Sequence, residues 1–132
     1  MNIRQIIGVG VSAVFVTSNL TPAQAQIHHQ VRQVVKVRQV MQMTPKQYAQ
    51  KLLLAKGFGR FQFDSLIELW RRESNWNPKS KNRYSSAFGI AQMLTETSHD
   101  PFTQIRHGLD YIFARYGSPS KALGHAYQVG WY

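Results

Sequence analysis

Residues 61–78 limit most sharply what this chain can become. Phe63, Leu66, Trp70 and Glu73 follow one another at steps of three, four and three residues. At 3.6 residues per turn that spacing places all four on one stripe of a helix. Ile67 widens the stripe, while Arg71 and Arg72 lie off it. Asn77-Pro78 then stops the helix, because proline crowds the preceding residue out of helical backbone. A helix with one apolar stripe needs other elements to pack on.

The rest of the chain supplies them. Thr44 reads as an N-cap with Pro45 at the first helical position, and Gly57 as the stop. The Ser- and Asn-rich stretch after Pro78 reads as a loop, and residues 88–97 as a short helix. Asp100 caps a long helix that Gly117 ends; Ser118 caps a last one with Pro119 in its first turn. No hairpin signal appears. The expected fold is all-α, about five helices with short links over residues 44–132.

Ahead of that domain the sequence predicts two segments. An arginine at position 4 precedes the uncharged apolar run Ile6–Val16, and Ala23-Gln24-Ala25 offers small residues for cleavage. That order reads as a secretory signal peptide, residues 1–25, with an uncleaved N-terminal anchor as the alternative. The run is shorter than the roughly 18–20 residues of a membrane span. Residues 26–43 hold His28, His29, Arg32, Lys36 and Arg38 and no acid. Neither a helical nor a strand period dominates there, so an extended, weakly structured basic lead is expected. The destination is the periplasm, the cell envelope or the exterior.

Sixteen Lys and Arg against six Asp and Glu give a formal net charge of +10. Such a surface attracts polyanions, and export turns that attraction from nucleic acid toward the envelope. No nucleic-acid-binding module is readable, so nucleic acid is not an expected partner. With no cysteine, disulfides and thiolate metal sites are excluded. His28-His29 is a pair without further ligands. Neither a metal nor another cofactor is expected.

Glu73 is the residue that points to chemistry. An acid on the core-facing stripe loses solvation, which raises its pKa, and a helix C-terminus pushes the same way. A carboxyl kept protonated near neutral pH suits a general acid acting on a glycosidic oxygen. A carboxylate held in a buried network or paired to Arg72 is the alternative. Asp64 and Glu68 fall roughly 180° and 140° round the same helix and cannot face Glu73. Glu96 is the loop acid that could face it across a groove. Glycosidases ordinarily use two carboxylates, and the second is hard to find here. Trp76 either floors a sugar subsite with its ring face or plugs the core.

The run "ELWRRESNWNPKSKNRYSSAFGIAQML" resembles the soluble lytic transglycosylase family: a helix ending in Glu-Ser, then a Gly-hydrophobic-x-Gln element at Gly89-Ile90-Ala91-Gln92. "DPFTQIRHGLDYIFARYGSPSKALGHAYQVGWY" resembles the family's third region, nearest the phage tail-associated type. The resemblance covers about residues 47–132. Two departures stand: Gln128 replaces the Asn of the Ala-Tyr-Asn motif, and matching Tyr127 needs one extra residue after Leu123.

The resemblance implies a lysozyme-like helical domain that cleaves the β-1,4 bond between N-acetylmuramic acid and N-acetylglucosamine without water. Glu73 would be the sole acid and base, and the muramic C6 hydroxyl would close a 1,6-anhydro ring. Ser74 would bond nearby backbone or sugar. Gly89 would let the chain approach the saccharide, and Gln92 would offer a donor and an acceptor to it. Tyr111 would be a site tyrosine or a core residue of its helix, and the Tyr127 hydroxyl would lie near Glu73. The implied partner is the peptidoglycan glycan strand, with a secretion, conjugation or phage assembly as possible context, and the protein a monomer. A hydrolytic muramidase and a non-catalytic wall-binding module are the alternatives.

Overall fold

The computed structural model describes residues 20–132. Residues 1–19 of the expected signal peptide, with its apolar run, lie outside the described residues. Among the described residues the fold is all-α, with five helices: α1 (Pro22–Met41), α2 (Pro45–Ala55), α3 (Arg60–Ser74), α4 (Pro101–Tyr116) and α5 (Pro119–Val129). The chain divides into two compact units between Arg38 and Gln39. Among the described residues no helix is long and apolar enough to cross a membrane.

Two of the expected elements differ. The basic lead is helical rather than extended. Thr21 and Gln24 bond reciprocally: the Thr21 N–H donates to Gln24 Oε1 at 2.9 Å, and the Gln24 N–H donates to Thr21 Oγ1 at 3.3 Å. This is the same capping box that Thr44 and Gln47 build at the start of α2. Gln, Lys and Arg between the valines are good helix formers, so local propensity decides where periodicity does not. The expected cleavage point after Ala25 falls in the first turn of this helix. Conversely, residues 88–97 are a pair of turns, not a helix. They join through isolated antiparallel bridges, Lys81 to Phe88 and Phe88 to Met93. Gly89 (φ +80°) and Gln92 (φ +50°) both adopt left-handed backbone, which cannot continue a right-handed helix.

In the second unit, α3 packs most extensively on α5, and α2 and α4 close the bundle around it. The core joins Leu53 of α2, Leu66, Leu69 and Trp70 of α3, Ile105, Leu109 and Ile112 of α4, and Ala122 and Ala126 of α5. Ile90 and Ala91 from the long α3–α4 connection are buried with them. Gly108 makes that arrangement possible. A Cβ there would stand 2.6 Å from Ala91 Cβ and 2.7 Å from Trp70 Cζ2, so α4 approaches both only because the side chain is missing.

Candidate active site

Glu73 lies on the last turn of α3, on the stripe that buries Leu66 and Trp70, and is itself half-buried. Burial raises its pKa above the ordinary glutamate value, and the nearby Arg72 guanidinium opposes the rise. Among the described residues the ion pairs are Arg60–Asp64, Arg71–Glu68 and His107–Glu96; Glu73 takes part in none. Arg71 is held by Glu68 at 2.7 Å, and the Arg72 guanidinium lies 4.6 Å from the Tyr127 ring.

The helix ends in a strained turn. Asn75 (φ +52°) and Trp76 (φ +60°) are both left-handed, a conformation that costs about 1–3 kcal/mol per non-glycine residue. Packing holds them there. The Trp76 ring meets Trp70 edge-on at 5.0 Å, and its Nε1–H donates to the Ile67 carbonyl at 3.1 Å. The Ser74 hydroxyl donates to the Ile90 carbonyl at 2.6 Å. Ser74 therefore ties the end of the Glu73 helix to the Gly89–Gln92 turn, the backbone role of the two expected for it.

Beside this turn opens a cleft of about 320 Å³, whose walls include Ala91, Gln92, Leu94, Tyr111, Arg115 and Tyr132. Tyr132 links it to Glu73. Its hydroxyl accepts from Trp70 Nε1–H at 2.8 Å and donates to the Ala91 carbonyl at 2.7 Å. Burial pushes the Tyr132 pKa well above the tyrosine range, and the Glu73 carboxylate pushes it further. The hydroxyl thus stays protonated in the electrostatic field of Glu73. Tyr111 stands edge-on to Tyr132 at 5.9 Å, half-buried, and serves as cleft wall rather than as interior core. Gln92 reaches the cleft, but its Nε2 is committed to the Ser80 and Gly89 carbonyls at 3.1 and 2.8 Å.

Four expectations are corrected. Trp76 is 8 % exposed and belongs to the core, so it floors no subsite. Gly89 makes room for a side chain, not for a saccharide: a Cβ there would stand 2.5 Å from the Gln104 amide. Tyr127 is 58 % exposed on α5, stacked with Arg72 and bearing on Glu68. The tyrosine whose pKa the Glu73 charge raises is Tyr132. Glu96 does not face Glu73 across a groove. Its side chain is 1 % exposed, accepts from the Ser98 N–H at 2.8 Å and meets His107 Nδ1 at 2.9 Å.

Gln104 escaped sequence reasoning. Fully buried on α4, it accepts from the Ile90 N–H at 2.9 Å and donates to the Pro78 and Ser98 carbonyls at 3.0 and 2.7 Å. One amide thus fixes three points of the connection that carries the Gly89–Gln92 turn. The available signal was its place beside Ile105 on the buried face of α4, with Gly108 and Leu109. A polar residue on such a face needs partners.

The site offers one protonatable carboxyl at a helix end, a hydroxyl fixed by Trp70 and Ala91 that feels its charge, and a cleft walled by Tyr111, Tyr132, Gln92 and Arg115. Comparison with known proteins finds no matching family model, no matching curated protein and no matching solved structure.

Proposed function

We propose that this chain is an exported peptidoglycan lytic transglycosylase, cleaving the bond between N-acetylmuramic acid and N-acetylglucosamine with Glu73 as both acid and base. The observation that carries the reading is a half-buried Glu73 with a raised pKa, on the helix that Tyr132, a wall of the cleft, bonds at Trp70, while Glu96, the other candidate, is bonded elsewhere. A single acid of this kind suits a reaction whose nucleophile comes from the substrate.

In that reaction the Glu73 carboxyl gives its proton to the glycosidic oxygen as the C1–O bond breaks. The substrate's N-acetyl oxygen shares the positive charge at C1. The Glu73 carboxylate then takes the proton of the C6 hydroxyl, whose oxygen bonds to C1. The acid is regenerated and no water is consumed. Tyr132, fixed by Trp70 and Ala91, keeps a neutral hydroxyl within the field of the carboxyl. The net charge of +10 draws the protein to an acidic wall polymer.

The test is release of soluble fragments from purified peptidoglycan by wild type and Glu73→Gln. Loss of general acid–base catalysis lowers the rate by about 10²–10⁴-fold. A variant within about twofold of an active wild type, as for a mere surface change, defeats Glu73 as the acid; no release by wild type defeats the enzyme reading and leaves wall binding.

A further inference from the structure

Arg115, on the last turn of α4, lines the same cleft as Gln92 and Tyr132. Three rings surround its guanidinium: Trp131 at 5.2 Å, Tyr116 at 5.6 Å and Tyr111 at 5.9 Å. Cation–π attraction to several rings restricts where the fork can point. Trp131 is pinned in turn, because His125 Nδ1 meets the Trp131 carbonyl oxygen at 2.9 Å and the two rings pack at 4.8 Å. A basic residue in the last turn of a helix complements the helix dipole. That accounts for the charge but not for its position in the cleft wall.

No carboxylate of the described residues pairs with Arg115. Asp64, Glu68 and Glu96 pair with other cations and Asp110 enters none of the ion pairs among the described residues, Asp100 caps α4, and Glu73 responds to Arg72. A guanidinium keeps its charge and presents a planar fork matched to a carboxylate. Held by rings in advance, it loses little freedom on binding.

We propose that Arg115 binds a carboxylate carried on a short arm of the bound glycan, so that the cleft selects acidic strands over neutral strands of the same backbone. The assignment rests on the saccharide reading of the cleft. The carboxylate has two sources in a muramyl strand: the lactyl group where no peptide is attached, and the free acids of an attached peptide. Amidation of either removes the charge while preserving the shape.

The experiment measures binding by calorimetry on the full chain carrying Glu73→Gln, which holds substrate without turnover, with and without Arg115→Gln. The probes are a neutral chitotetraose, a peptide-free muramyl tetrasaccharide, a peptide-bearing one, and the carboxamide form of each acidic probe. With Arg115 present, one acidic probe binds about tenfold or more tightly than its carboxamide, the worth of a charge-assisted bond. The probe that shows the preference identifies the source. In Arg115→Gln the ratio falls to within about twofold, a difference no charge-assisted bond explains. An unchanged ratio, or no preference at the outset, overturns the assignment while leaving the saccharide reading intact. Failure to bind any of the saccharides overturns both.

Discussion

Trp70 donates its indole N–H to the hydroxyl of Tyr132, 62 residues further along the chain, at 2.8 Å, and that hydroxyl passes a hydrogen bond on to the Ala91 carbonyl. One side chain thereby joins the Glu73 helix to the wall of the cleft. Tyr132→Phe keeps the ring and removes both bonds, leaving the buried Trp70 N–H unsatisfied. We expect a loss of about 1–3 kcal/mol, read as a lower urea midpoint at unchanged slope.

Glu73 should cost the protein stability at neutral pH. Burial raises its folded pKa above the unfolded value, so between the two values the folded state holds the extra proton. Stability therefore falls as pH rises through that window, and the penalty is fully present above the folded pKa. Glu73→Gln removes it. The variant should melt at higher temperature than wild type at pH 7, and the gain should vanish once the pH drops below the ordinary glutamate range. Equal melting temperatures at both ends would mean that Glu73 titrates as a solvated carboxyl.

Gly89 and Gln104 form one unit. Gly89→Ala must place a methyl 2.5 Å from the Gln104 amide at a φ of +80°, and Gln104→Ala strips three backbone groups of their partner. Each should cost about 2–4 kcal/mol. Because both disturb the same contact, the double variant should fall short of the sum by about 1 kcal/mol or more. Denaturant titration of the four proteins measures this, and faster amide exchange at Ile90 should accompany either single change.

Trp76 should behave as a core residue. Trp76→Ala should cost about 3–5 kcal/mol, whereas Trp76→Phe should hold the fold and bind saccharide as wild type does. Stability comes from thermal unfolding and affinity from the calorimetric titration with chitotetraose. A selective loss of affinity in Trp76→Phe would return the ring to the cleft.

Much of this was legible in the sequence. The α3 stripe and the caps at Thr44, Asp100 and Ser118 announce themselves because period and capping are local. The orientation of Glu73 follows from the same local geometry. What was not legible depends on contacts distant in sequence. Nothing near Gly89 says that its missing side chain serves Gln104, and nothing near Trp76 says that the chain doubles back to bury it under Trp70. α5 turns the Tyr127 ring outward to Arg72, and the tyrosine that feels the Glu73 charge is Tyr132. The lead helix is hidden for a different reason: its signal lies in the Thr21–Gln24 cap and in propensity, not in an apolar stripe.

In the proposed reaction one carboxyl gives and recovers a proton while the sugar supplies its own nucleophile. Digesting peptidoglycan with the full chain in water enriched in heavy oxygen, and reading the fragment ends by mass spectrometry, tests it most directly. The expected ends are lighter than hydrolytic ends by one water and carry no heavy oxygen, and Glu73→Gln releases them about 10²–10⁴-fold more slowly. Reducing ends labelled with heavy oxygen would contradict it.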